Sequence, residues 1–253
     1  MTEYEEGPEA VATVDTVAGQ LVMPFYIICD VSSSMSGDMG DLNKALNDLV
    51  NDIMRSPVVD DLVMLSVITF GSTAQTVVKL ASPSSITLPT LTSGGGTVYG
   101  AAFREYDRAF TADRARLKAE GKKVYRPCVF FLSDGAPGDR DYKQTFRSLF
   151  AYDPETRQGN KAFPYVVSFG FRDAPEQVMK DVAYPDFGKS RGRWFLSRSN
   201  RIGELLKSMT DSIGNTVLSS GNSAGAGMPQ IIPPTVPAGQ DMQFGDAGDF
   251  VDD

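Results

Sequence analysis

The feature that most constrains this chain is residues 23–36, MPFYIICDVSSSMS. Phe25, Tyr26, Ile27, Ile28 and Cys29 put aromatic and branched side chains on both faces of an extended segment. This suits a central strand covered above and below, not one with a wet face. The run ends in Asp30, Ser32 and Ser34, whose oxygens at alternate positions can converge where the chain turns. Hard oxygen donors of this kind suit Mg²⁺ better than zinc.

The rest of the chain repeats the theme of apolar strands separated by helices. Leu42, Ala45, Leu46, Leu49, Val50, Ile53 and Met54 fall at the spacing of a broad buried helical stripe over 41–54, which Pro57 ends. A strand at 62–70 runs through Gly71-Ser72 into 74–80, a tight hairpin that makes the latter an antiparallel edge strand. A Ser/Thr/Pro/Gly loop over 81–98 leads to a helix at 99–119 with Ala102, Phe103, Tyr106, Ala109 and Phe110 on one side. Strands at 127–133, 163–169 and 193–197 alternate with helices near 139–150, 175–182 and 200–217. The expected fold is α/β: a doubly wound, mainly parallel six-stranded sheet with helices on both faces and one short antiparallel edge strand. By composition the chain divides into an acidic flexible N-terminus (1–20), a domain (21–218) and a disordered Gly/Pro-rich linker with an acidic tail (219–253). Met242, Phe244, Phe250 and Val251 in that tail also raise the possibility of a docking peptide.

A second strand, CVFFLSDG, ends in Asp134, and TSGGGT places Thr97 after Gly94, Gly95 and Gly96. In open parallel sheets, ligands bind beyond the carboxyl ends of the strands where strand order reverses. Two carboxylates about one strand spacing apart repel, so one must take a proton or a cation must sit between them. Taken singly, either aspartate could instead cap the helix that follows it. The glycines let the backbone pass close to an ion and move with it. No Lys-Ser/Thr follows them, which argues against a phosphate loop.

The formal charge of −8 resides in the ends. Residues 1–22 and 219–253 each hold five acids and no base, leaving 22 acids against 24 bases between them. That near-neutral core gives no basis for nucleic-acid binding, and Arg104, Arg108, Arg114, Arg116, Lys118, Lys122 and Lys123 read as a solvated helix face. The chain has no histidine, which removes the usual general base and any Ser-His or Cys-His pair. If Asp30 and Asp134 stand level on neighbouring strands, Cys29 and Cys128 are roughly 16 Å apart at about 3.3 Å per residue, too far for a disulfide. Two unpaired core cysteines and no apolar run long enough for a membrane span suggest a cytoplasmic protein.

Asp30, Ser32, Ser34, Thr97 and Asp134, in this order, resemble the metal-ion-dependent adhesion site (MIDAS) of von Willebrand factor A (VWA) domains, with Ser33 where that family usually has glycine. The resemblance covers roughly 23–217. It implies Mg²⁺, with Mn²⁺ or Ca²⁺ as alternatives, bound by those five residues, and a non-enzymatic adapter whose ion is completed by an Asp or Glu of a partner protein beside the 94–96 loop. A single such contact suggests micromolar affinity, about −8 kcal/mol. LSVITFG (65–71), PTLTSGGGT (89–97) and YRPCVFFLSDGAPGD (125–139) are similar to the bacterial TerY-like group associated with tellurium resistance. That likeness implies a stress-response setting with a kinase-like protein and a PP2C-type phosphatase nearby. A VWA subunit serving a MoxR or chelatase AAA+ ATPase is the sister alternative. A Mg²⁺-dependent phosphotransferase of the haloacid-dehalogenase type is less favoured, because its second aspartate would fall at Ser32.

Overall fold

The computed structural model describes residues 19–199, 202–235 and 242–248, except the side chains of Ile202 and Leu205. In chain order the elements are β1 (Leu21–Asp30), α1 (Met39–Met54), α2 (Pro57–Leu62), β2 (Val63–Phe70), β3 (Ala74–Ala81), α3 (Tyr99–Ala119), β4 (Lys123–Val124), β5 (Cys128–Ser133), α4 (Tyr142–Phe150), β6 (Tyr152–Asp153), β7 (Gln158–Gly159), β8 (Tyr165–Phe171), α5 (Glu176–Val182), β9 (Arg193–Ser197), α6 (Ile202–Gly225) and β10 (Met242–Asp246). Short 3-10 turns at Ser33–Gly37 and Pro83–Ser85 join them.

The main sheet runs β10-β9-β8-β5-β1-β2-β3, with β4 paired to the start of β1. The pairings β2-β1-β5-β8-β9 are parallel, and β3 is the antiparallel edge strand that the Gly71 hairpin predicts. β1 lies in the middle, with β2 and β3 added on one side and the later β5, β8 and β9 on the other, so its carboxyl end is the switch point of the sheet. Its side chains divide as a doubly covered strand requires. Phe25, Ile27 and Cys29 join Leu46, Ile53, Met209 and Ile213 from α1 and α6 on one face. Tyr26 and Ile28 join Tyr106, Phe110 and Phe150 from α3 and α4 on the other. Each large side chain buried here contributes roughly 1.5–3 kcal/mol.

The structure differs from the sequence expectation in five places. Among the described residues the main sheet has eight strands where six were expected. Pro57 does not merely end α1; it opens α2 at the first helical position, where a missing N–H costs nothing. Met54, placed in the buried stripe, is exposed. The chain beyond 218 is not a free linker over its described part. α6 continues to Gly225. Ser220 Oγ then accepts from Ile232 N–H, Arg193 donates to the Pro234 carbonyl, and β10 pairs antiparallel with β9. At the other end Gly19 N–H bonds the Gly121 carbonyl, tying down the last residues of the segment expected to be flexible. Residues 1–18, 200–201, 236–241 and 249–253, including Phe250 and Val251, lie outside the described residues.

Candidate metal and docking site

β1 and β5 are neighbours, so Asp30 and Asp134 open into one place. The register is offset by one residue from the level arrangement. Cys29 pairs with Leu132, which puts Ser133 level with Asp30 and carries Asp134 one position beyond. Ser133 Oγ consequently donates to Asp30 Oδ2 at 2.6 Å, while Asp30 Oδ1 accepts from Ser32 N–H at 2.8 Å. The same pairing leaves Cys128 four positions below Cys29, and both thiols are buried and free. Burial pushes the Asp30 carboxyl above its ordinary range, and the nearby Asp134 charge adds to this. The hydrogen bonds from Ser133 and Ser32 oppose the rise.

A chain of oxygens leads outward from the sheet. Ser32 Oγ lies 3.0 Å from Ser34 Oγ, and Ser34 Oγ donates to Asp134 Oδ1 at 2.9 Å. Asp30, Ser32 and Asp134 are at most 2% exposed, whereas Ser33, Ser34 and Gly94–Gly96 face solvent. The arrangement is a buried acidic floor with an open hydroxyl rim.

The glycine loop is fastened to this rim through the backbone. Gly94 N–H donates to the Val31 carbonyl, and Ser33 donates to the Gly95 carbonyl through both N–H (3.0 Å) and Oγ (2.9 Å). Gly95 has φ +78°, and a Cβ there would stand 2.6 Å from Ser72 Oγ. At Gly71 a Cβ would fall 2.6 Å from the Gly94 carbonyl oxygen, so the hairpin glycine is needed for close approach of the two loops. The Thr97 carbonyl accepts from Gly138 N–H, which sets Thr97 between the loop and the turn after β5. The structure therefore joins Asp30, Ser32, Ser34 and Asp134 by hydrogen bonds. Thr97 is bonded through its carbonyl to Gly138, with no hydrogen bond from its hydroxyl to those four among the described residues.

Four further residues escaped the sequence reading. Ser133 supports Asp30 as described. Asp139 accepts the N–H groups of Tyr99 and Gly100 at 2.9 and 2.8 Å, capping α3 from outside its own chain segment. Asp38 and Arg172 form an ion pair, and Arg172 also reaches Asp134 Oδ2 at 3.3 Å and the Ser34 carbonyl at 3.1 Å. Ser133 required the register, and Arg172 required knowing that β8 follows β5 in the sheet. Asp139, next to the apolar strand on the same loop as Asp134, carried no distinguishing signal.

All the side-chain donors facing the rim are carboxylate or hydroxyl oxygens, and two carboxylates sit together on its buried side. That donor set fits a hard divalent cation and offers nothing to a thiophilic one. Among the described residues no group of three or more His, Cys, Asp or Glu side chains is placed to hold a metal ion, so the hydroxyls are indispensable to any such site. A surface cavity of about 550 Å³ lined by Asp107, Phe110, Arg114, Ser148 and Asn160 contains none of these residues.

Residues 25–136 match the model of the von Willebrand factor type A domain, a span that includes all five candidate ligands. The fold is that of a VWA domain. Solved structures agree with it at low identity. A von Willebrand factor type A protein from Catenulispora acidiphila is 15% identical with a TM-score of 0.53, over 79% of this chain and 43% of that one. A mutant of the PilB minor pilin from Streptococcus sanguinis is 14% identical with a TM-score of 0.56, over 85% and 65%. The pilus adhesin SpaC from Lactobacillus rhamnosus GG is 12% identical with a TM-score of 0.54, over 79% and 30%. In each case the VWA fold of this chain spans less than two thirds of the related structure. Comparison with curated proteins gave no match.

Proposed function

We propose that this VWA domain is a divalent-ion-dependent docking module. Ser32, Ser34, Thr97 and Asp134 would hold Mg²⁺, with Mn²⁺ or Ca²⁺ able to replace it, and Asp30 would orient the Ser32 segment and balance charge. Three neutral hydroxyls and the Asp134 carboxylate leave an octahedral ion short of donors, and a partner's Asp or Glu carboxylate completes the shell. The observation that carries this reading is the exposed Ser34 hydroxyl bonded to the buried Asp134 carboxylate: the donor set has a solvent side at which a partner can arrive. The ion supplies a fixed positive charge; Gly94–Gly96 supply a close-fitting backbone edge beside it. No second aspartate replaces Ser32 as an acid or base, so docking rather than phosphoryl transfer is the activity proposed.

The setting we favour is a bacterial, cytoplasmic, TerY-like assembly containing a kinase-like or PP2C-type protein, supported by the strings at 65–71, 89–97 and 125–139. Isothermal titration of MgCl₂ into the protein is expected to show one saturable site, absent in Asp134→Ala. Affinity capture from native lysate, with and without EDTA and with Asp30→Ala, is expected to lose the partner in both treatments. A captured set unchanged by either would sink the docking reading. Phosphoproteins among the captured partners would fit the TerY-like setting, and a hexameric ATPase would replace it with the AAA+ one.

A further inference from the structure

We propose that Arg172 is a resident counter-cation that competes with the divalent ion for Asp134 and thereby sets how tightly the ion is held. The inference rests on the ion-docking reading above. It begins from an excess of negative charge: Asp30, Asp38 and Asp134 are 1%, 7% and 2% exposed, yet they converge at one end of the sheet. Buried carboxylates need compensation, and among the described residues both salt bridges to this group come from Arg172. Its Nη2 pairs with Asp38 while Nη1 donates to Asp134 Oδ2 and to the Ser34 carbonyl. A guanidinium cannot shed its proton, so the charge is permanent.

The backbone is committed to this placement. Arg172 has φ 52°, a left-handed conformation uncommon for a residue with a side chain, at the carboxyl end of β8. Arg198 donates to its carbonyl, and Asp173 N–H bonds the Asp134 carbonyl, so the turn is held against the β5 end.

Asp134 is divided between two claims. Its Oδ1 accepts from Ser34, on the side of the hydroxyl rim, and its Oδ2 accepts from Arg172. Any cation drawing on Asp134 shares that carboxylate with a like charge in contact with it, which lowers its affinity. The guanidinium is nearly a third exposed and keeps Asp38 as a second partner, so it can withdraw from Asp134 without losing all compensation.

The test is titration of MgCl₂ into the wild-type protein, Arg172→Gln and Arg172→Lys at 0.15 M salt. Arg172→Gln is expected to bind Mg²⁺ about tenfold more tightly and Arg172→Lys close to wild type. In EDTA, Arg172→Gln should melt below wild type, and saturating Mg²⁺ should close the gap. Equal or weaker Mg²⁺ binding by a folded Arg172→Gln overturns the proposal. Should that variant fail to fold, the wild-type guanidinium ¹⁵N resonances decide: they should shift and lose restricted rotation on Mg²⁺ addition, and unchanged resonances reject the competition. If wild type itself takes up no ion, the docking reading falls together with this one. If wild type binds and Arg172→Gln binds alike, only the competition is lost.

Discussion

The ends of β1 and β5 carry the same residue type on adjacent strands, and the structure uses the two differently. Asp30 is satisfied from within: one oxygen takes a backbone N–H two residues on and the other takes a hydroxyl from the neighbouring strand, both at 2.8 Å or less. Asp134 stands one residue further out and is met by two groups that touch solvent, the Ser34 hydroxyl and the Arg172 guanidinium. The difference follows from register, because Ser133 occupies the level of Asp30 and Asp134 therefore projects past the sheet. One carboxylate is built into the fold; the other is available for exchange.

Replacing each in turn is the strongest way to break that contrast. Asp134→Ala is expected to weaken Mg²⁺ binding more than about 100-fold, beyond the range typical of supporting groups, while changing stability by no more than about 1 kcal/mol. Asp30→Ala should also weaken the ion. In addition it strands the Ser32 N–H and takes from the Ser133 hydroxyl its 2.6 Å acceptor, costing about 2–3 kcal/mol and lowering Tm by roughly 5–10 °C. Calorimetric titration and thermal melts of the two variants side by side check this. Equal stability losses would erase the distinction between a built-in and an exchangeable aspartate.

Ser133→Ala sharpens the same comparison with a smaller change. It leaves Asp30 Oδ2 without its 2.6 Å donor in a buried position, so the expected cost is about 1–2 kcal/mol, with Mg²⁺ affinity falling roughly tenfold. Loss of stability without loss of affinity would make Ser133 a packing residue only. Gly95→Ala probes the rim instead of the floor. Positive φ and the clash with Ser72 should cost about 1–2 kcal/mol and loosen the loop at Ser33.

Much of this architecture was legible in the sequence because local and global signals agreed. Phe25 to Cys29 suit a doubly covered strand, the 42–53 spacing suits an amphipathic helix, and Asp30, Ser32 and Ser34 follow directly from the strand end. The less legible parts depend on partners far along the chain. Met242, Phe244 and Gly245 are interpretable only against β9, where Gly245 allows the Trp194 indole to lie against the backbone and Phe244 stacks on Phe195. In isolation, that segment has the acidic, glycine-containing composition of a tail. Arg172 and Asp38 are 134 positions apart, counted from their numbers, and neither sits in a local motif. The one-residue register offset could not be read from strand ends alone, since the apolar runs fix which residues are buried but not how two parallel strands slide.

A carboxylate distant from the site gives the mildest test, because its partners are all supplied by the chain. Glu105 on α3 accepts from the Arg108 guanidinium at 2.6 and 2.8 Å and from Thr76 N–H and Oγ1 on β3 at 2.9 and 2.6 Å. Arg108 foremost, then Thr76, holds its pKa at about 2 against an ordinary 4.5, despite opposing desolvation. A depressed carboxylate pKa means the folded state binds fewer protons than the unfolded one. The stabilisation is therefore present above about pH 4.5 and disappears as pH falls toward about 2. Arg108 is two-thirds exposed, so screening limits the gain to about 1 kcal/mol. Urea unfolding of wild type and Glu105→Gln should differ by that amount at pH 7 and converge as pH falls through about 2, with Mg²⁺ affinity unchanged. A shift in Mg²⁺ affinity would mean that α3, whose N-terminus Asp139 ties to the β5 turn, transmits changes from the sheet edge to the exchangeable aspartate.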